Sequence, residues 1–307
     1  ELTGEGANAV GVPGLVACAE TVLVKYGTMS FKEVLQPAIK LCQDGVKVSK
    51  KLNGMIVDNM EKIMKYPATA EIYFRDMLPI EAGETLRNPD LAKTFEMLAE
   101  QGGDVFYKGK IAQAIVDEIK KQGGIFTLDD LEYYQAKIRK PVSGFYRGYQ
   151  IFSSAPPSGG GTHLIELLNI MENYDLVEMG HNTVDYIHVL TEAMKMVYAD
   201  KSLNAADPDF YDIPVDTFLN SKYAKRLSKK ILPDKAQFDY QPVNRTVRES
   251  NSTSHFSIVD ERGNVVALTQ SINRWFGSGI VVPCTGILLN DHLSDFDKKP
   301  GFPNSIE

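Results

Sequence analysis

Through the first two-thirds of the chain, apolar residues recur at helical spacing between recognisable start and stop signals. Leu91, Phe95 and Leu98 stand at i, i+4 and i+7, behind a cap and first-turn proline at Asn88-Pro89 and ahead of Gly102-Gly103. Ile111, Ile115 and Ile119 form one face of a second helix over 110–122, which Gly123-Gly124 stops. Thr127 with Asp130 three residues on has the form of a capping box and predicts a short helix through Tyr134. A longer helix is predicted after Asn182-Thr183, striped by Ile187, Leu190, Met194 and Val197, and another over 163–175. Residues 9–24 are apolar, but Gly11, Pro13 and Gly14 interrupt them and no basic flank precedes them. They predict a core helix starting near Pro13 rather than a secretory signal. Each stripe is read as a packing face.

From Leu232 the texture changes. Residues 232–252 are polar, carry two prolines and hold no period, the composition of a functional or flexible connection. Immediately afterwards the period falls to 2. Residues 254–272 read as two strands joined at Glu261-Arg262-Gly263. A three-residue loop pairs Asp260 with Asn264, Val259 with Val265, Ser257 with Ala267, His255 with Thr269 and Thr253 with Ser271. A five-residue loop gives the same pairs; a four-residue loop breaks them. Opposed side chains have Cβ atoms about 4.5–5.5 Å apart, so two hydroxyls are expected to meet at the end of the ladder. One face carries Phe256, Ile258, Val266, Leu268 and Ile272, a core face. The other runs from Thr253 to Asn273 through small polar and apolar residues without a single Asp, Glu, Lys or Arg. That face is expected to be covered too, with a hydroxyl-lined cleft at one end. A Thr/Ser-rich strand chosen for β-propensity alone is the other reading of the same pattern.

Composition narrows the classes. The 307 residues suit one large domain or two, and 43% hydrophobic with 24% charged residues is ordinary globular usage, which excludes fibrous and disordered chains. A formal net charge of -7 disfavours nucleic acid as a partner. No apolar run approaches the ~18 residues of a membrane span. Cys18, Cys42 and Cys284 form neither a metal pattern nor a disulfide framework, and His163, His181 and His188 lack ligand spacing, so no metal or cofactor is expected. Residues 153–162 put three glycines before a helix, but His163-Leu164 follows where a phosphate loop needs Lys-Ser/Thr. A tight turn is the better reading.

Longer stretches carry a resemblance. Thr-Ser-His-Phe-Ser-Ile-Val-Asp at 253–260, Gly263-Asn264, Ser271-Ile272-Asn273, Phe276-Gly277-Ser278-Gly279, Gly286-Ile287-Leu288-Leu289-Asn290, Asp295-Phe296 and Lys299-Pro300-Gly301 resemble the γ-glutamyltranspeptidase family. So do Gly11-Val12-Pro13-Gly14, Lys25-Tyr26-Gly27, Gln36-Pro37-Ala38, Phe106-Tyr107-Lys108-Gly109, Tyr146-Arg147-Gly148-Tyr149 and Pro156-Pro157-Ser158-Gly159-Gly160. The motifs keep their order nearly end to end. The resemblance implies an α+β chain of the N-terminal-nucleophile hydrolase type, an αββα sandwich, made as a precursor that cuts itself. The cut is then expected between Ser252 and Thr253. Residues 1–252 become the C-terminal part of the large subunit with a flexible tail at 232–252, and 253–307 the start of the small subunit. Thr253 is the implied nucleophile, Ser271 its supporting hydroxyl, and Asn273 and Asp295 the groups that bind the α-amino end of a γ-glutamyl donor.

Two positions depart from the family pattern. His292 stands where the family usually has Gln or Glu, and Ser294 where it usually has Asp; both fall in the pocket expected for the donor ammonium. The resemblance also implies a serine pair and oxyanion-hole glycines after Glu307 and a carboxylate-pairing arginine before Glu1, so residues 1–307 alone are expected to be inactive. The implied partners are a γ-glutamyl donor such as glutathione, an amine or water acceptor, and the remaining small-subunit segment. Only the resemblance points to a periplasmic or extracellular address. The alternatives are another amide acylase or amidohydrolase of the superfamily, or a non-catalytic remnant of the fold.

Overall fold

The computed structural model describes residues 6–238, 240, 252–297 and 300–305, and within these the chain is α+β. Capping chemistry sets several helix boundaries where the sequence predicts them. Asn88 Oδ1 accepts the Leu91 N–H at 3.1 Å to open Pro89–Gln101, and Gly102 closes that helix. Lys110–Lys121 buries Ile111, Ile115 and Ile119 on one face. Thr127 and Asp130 cap each other's backbone and open Leu128–Glu132.

Three helices differ from expectation. The helix near Pro13 spans Leu15–Tyr26, and none of its residues is fully buried. Val16 and Ala17 edge the core while Val24 and Tyr26 face solvent, because only one side of this evenly apolar helix meets other elements. The helix predicted over 163–175 spans Gly159–Met171: the Ser158 hydroxyl accepts the Gly160 N–H at 3.4 Å and draws the three glycines into the first turn. Val184–Asn204 starts at its Thr183 cap but buries Val189, Ala193, Met196 and Val197, leaving Ile187 and Met194 exposed. Its face is rotated toward the helices Gly159–Met171 and Ser221–Ser228 that pack on it.

The chain divides into two compact units. One comprises Lys137–Arg248 and Asp297–Glu307. In it the hairpin Val142–Tyr146/Tyr149–Ser153 and those three helices surround Ile170, Val189, Ala193, Met196, Val197 and Leu227. Here His163 Nδ1 and Glu166 Oε2 share a hydrogen bond of 3.0 Å. Burial pushes His163 down to about 4 and Glu166 up to about 10, so this contact is a neutral hydrogen bond rather than an ion pair. His188 bonds the Leu232 carbonyl at 2.7 Å. Much of the 232–252 stretch, residues 239 and 241–251, lies outside the described residues.

The other unit comprises Glu1–Ala136 and Glu249–Phe296. Its core joins Leu98, Phe106, Ile111, Ile115, Ile119 and Leu131 to Ile280, Val282 and Leu289, so the segment after the 254–270 hairpin is embedded among the helices. The Asn290 side chain fixes that segment. Its amide donates to the Gly11 carbonyl at 2.8 Å and its oxygen accepts the Gly11 N–H at 2.9 Å. Asn290→Ala leaves both backbone groups without these partners and is expected to lower stability by about 2 kcal/mol, read as a drop in Tm. An unchanged Tm would show that this bridge contributes nothing.

Among the described residues the strands form five two-stranded antiparallel sheets. In the hairpin Ser254–Val259/Val265–Gln270 the observed partners are those predicted, Val259 with Val265 through Ser254 with Gln270. Its burial is not as predicted. Phe256, Ile258, Val259, Val265 and Val266 are exposed, because among the described residues no second layer covers either face. No helix among them is long and apolar enough to cross a membrane.

Candidate active site

The site begins with a turn. Asp260 Oδ1 accepts the N–H groups of Arg262 at 2.9 Å and Asn264 at 2.8 Å, and Oδ2 accepts the Asn264 amide at 2.8 Å. These bonds hold the Asp260 carboxyl below its ordinary range, the Asn264 side chain contributing most. Gly263 sits at φ +81°, a left-handed position that closes the loop at three residues. The register follows from that loop length. It sets Thr253 across from Ser271, and the Thr253 hydroxyl donates to Ser271 Oγ at 3.2 Å.

Ser271 is the meeting point of two networks. Its Oγ also accepts the Asn273 N–H at 2.9 Å. Asn273, 6% exposed and at φ +73°, directs its amide to Asp295 Oδ1 at 3.0 Å, Ser294 Oγ at 3.1 Å and the Asp291 carbonyl at 3.3 Å. The Ser252 hydroxyl donates to the Asn273 carbonyl. Residues on both sides of the Ser252–Thr253 bond are therefore tied to the segment 271–273.

His292 completes the second network. Its Nε2 donates to the Ser271 carbonyl at 3.0 Å, and its Nδ1 stands 3.7 Å from Asp295 Oδ2. Asp295 raises the His292 pKa most, burial opposes, and the Ser271 carbonyl with the charges of Asp295 and Asp291 adds to the rise. Thr253, Ser271, Asn273, His292, Asp295 and Ser252 thus stand in one connected cluster.

Two further charged residues belong to it that the sequence reading passed over. Asp291 is fully buried; its Oδ1 accepts the Arg274 N–H at 3.1 Å, and its Oδ2 faces the Arg274 guanidinium at 3.7 Å. The available signal was an Asn-Asp pair, Asn290-Asp291, directly after the apolar run 287–289, with an arginine directly after Asn273. Among the described residues no group of three His, Cys, Asp or Glu side chains could hold a metal ion. Chemically the cluster offers two apposed hydroxyls and, beside them, an amide and a carboxylate suited to an ammonium.

The fold is that of the N-terminal-nucleophile hydrolases, and the chain belongs to the gamma-glutamyltranspeptidase family, whose sequence profile matches residues 1–307. It is 43% identical over 303 residues to the glutathione hydrolase proenzyme of Escherichia coli (strain K12), covering 96% of this chain and 52% of that protein. The crystal structure of Helicobacter pylori gamma-glutamyltranspeptidase superposes with a TM-score of 0.75 at 42% identity, over 77% of this chain and 68% of that one. A cephalosporin acylase from Bacillus halodurans superposes with a TM-score of 0.85 at 25% identity, over 100% of this chain and 56% of that one. The chain spans about half the length of the curated relatives it matches.

Proposed function

We propose that this chain carries the nucleophile and the donor-ammonium pocket of an enzyme that hydrolyses or transfers γ-glutamyl groups from glutathione-like amides. The observation that carries this reading is the Thr253–Ser271 hydroxyl pair, 3.2 Å apart, linked through Asn273 to Asp295. In the precursor, Thr253 Oγ attacks the Ser252 carbonyl carbon while its proton passes to Ser271 Oγ or a water. The C–N bond breaks, the nitrogen takes up a proton, and the acyl group moves to the hydroxyl as an ester. Water then cleaves the ester and leaves Thr253 with a free α-amine, dividing the chain into 1–252 and 253–307.

That amine is the base. Its unperturbed pKa of about 7.7–8 suits proton transfer at neutral pH. In turnover, Thr253 Oγ attacks the γ-carbonyl of the donor and the leaving amine takes a proton. A glutamyl ester remains on Thr253, which water or an amine acceptor resolves. Asn273 and Asp295 hold the donor's α-ammonium through the whole cycle, so they orient rather than react.

The same pair separates this reading from a general amide acylase. A glutaryl anilide is the γ-glutamyl anilide without its α-amine, so it offers Asp295 no cation. With the full-length protein, kcat/KM for the glutamyl anilide is expected to exceed that for the glutaryl anilide by roughly tenfold or more, the scale of one charge-assisted hydrogen bond. Equal values would favour the acylase.

His292 gives the donor pocket a pH dependence. When protonated it places a cation beside the donor ammonium and competes for Asp295. Because its pKa is raised above the ordinary ~6.5, donor KM is expected to rise as pH falls through a point above that value. His292→Gln removes the rise and leaves kcat much less changed. A wild-type pH profile of KM in that variant would exclude His292 from donor recognition.

A further inference from the structure

We infer that Lys62, remote in sequence from the site, is a positioning residue that sets the backbone of Asn273 from behind; the inference rests on the reading of Asn273 as part of the donor pocket. Lys62 lies on the helix Met60–Met64 and is half-buried. Its ammonium donates to the carbonyls of Trp275 at 3.3 Å and Gly277 at 3.2 Å. Among the described residues no carboxylate lies within ion-pair distance of it. The two backbone carbonyls are what it holds.

Those carbonyls belong to a bend that cannot form cheaply on its own. Asn273, Phe276, Gly277 and Gly279 all have positive φ, at +73°, +60°, +49° and +83°. A side chain at Gly277 would collide with the Leu289 carbonyl. Phe276, a bulky residue in a region L-residues avoid, is held by edge-on packing against Tyr73 with ring centroids 5.1 Å apart. Downstream, buried Thr69 donates to the Gly279 carbonyl at 2.6 Å and accepts the Val281 N–H at 2.9 Å. The far end of the bend is thus fixed to the helix Pro67–Tyr73, its middle to Lys62, and its near end is Asn273.

Two supports reach the first residues after Asn273: Asp291 Oδ1 accepts the Arg274 N–H at 3.1 Å, and Lys62 holds the Trp275 and Gly277 carbonyls. Without Lys62 the carbonyls of Trp275 and Gly277 lose their shared cation, and the strain of the bend falls on the one Asp291–Arg274 bond beside Asn273 while Thr69 still anchors the other end. The Asn273 amide then loses its aim at Asp295 and Ser294. The Thr253–Ser271 pair, fixed by the hairpin register, stays in place.

The test compares Lys62→Met, Lys62→Gln and Lys62→Arg in the full-length protein with a γ-glutamyl anilide, scoring KM, kcat and the cut at Ser252–Thr253. Lys62→Met is expected to raise donor KM about tenfold with kcat changed far less, the loss expected for a charge-assisted contact. Lys62→Gln, which keeps a donor for one carbonyl, gives an intermediate KM, and Lys62→Arg restores most of the wild-type value. Lys51, whose ammonium lies 6.0 Å over the Trp275 ring without such hydrogen bonds, serves as the control, and Lys51→Ala keeps the wild-type KM. If Lys62→Met does not fold, the Lys62→Gln value decides. A wild-type KM in the folded Met or Gln variant, or a parallel fall in kcat and Tm that Arg does not rescue, overturns the inference. Either result leaves the proposed function standing, provided the wild-type protein cuts and turns over; a wild-type protein that does neither overturns that function instead.

Discussion

Thr253→Ala is expected to leave the full-length protein as a single uncut polypeptide with no measurable turnover. The variant removes the hydroxyl that faces Ser271 across the hairpin at 3.2 Å, and with it the attacks on the Ser252 carbonyl and on the donor that the proposed mechanism assigns to Thr253. Removing the nucleophile of a serine hydrolase lowers kcat roughly a millionfold, and a loss of that order is expected here. Thr253→Ser separates hydroxyl from methyl. Serine keeps the nucleophile but loses the β-branch that restricts χ1, so it should still cut, more slowly. Intact mass over time distinguishes the three proteins. An Ala variant that cuts at the same bond would remove Thr253 from the mechanism.

The second large effect is expected at Asp295. Its Oδ1 receives the Asn273 amide at 3.0 Å, and the proposed function makes its charge the one that meets the donor ammonium. Asp295→Ala is expected to raise KM for a γ-glutamyl anilide by roughly ten- to a hundredfold, the range for a charge-assisted hydrogen bond of about 1.5–3 kcal/mol. The carboxylate is well exposed, which favours the lower part of that range. Two companion results identify the cause. KM for the glutaryl anilide should not change, because that substrate carries no ammonium. The pH profile should shift as well, since Asp295 is the main reason His292 holds its proton above the ordinary range. An equal rise in KM for both substrates would mean that Asp295 shapes the pocket without binding the amine.

Local chemistry was legible in the sequence wherever it closes over a few residues. Asp260, Gly263 and Asn264 dictate a three-residue loop, and the loop dictates which hydroxyls meet. The caps at Asn88 and Thr127 were readable for the same reason. Burial was less legible, because alternation shows that a face suits a covering layer and not that one lies on it. The exposed Phe256 and Ile258 show the difference. On Val184–Asn204 the apolar residues are spread around the helix, so the side that packs depends on which neighbours approach. Within the site, Thr253 and Ser271 followed from register, whereas His292 and Asp295 entered only through family resemblance. Arg274, Asp291 and Lys62 stayed hidden. Lys62 meets the bend more than two hundred residues along the chain, and no period or motif encodes that contact.

The central claim is a Thr253 nucleophile made by cutting the bond before it, and one mass measurement tests it most directly. The purified full-length protein is incubated to completion, digested, and mapped with and without a γ-glutamyl donor trapped at low pH. The mechanism predicts two polypeptides, the smaller beginning Thr-Ser-His-Phe at Thr253, and a glutamyl adduct on the peptide that starts there. A single uncut polypeptide, a different new terminus, or an adduct confined to another residue would contradict it.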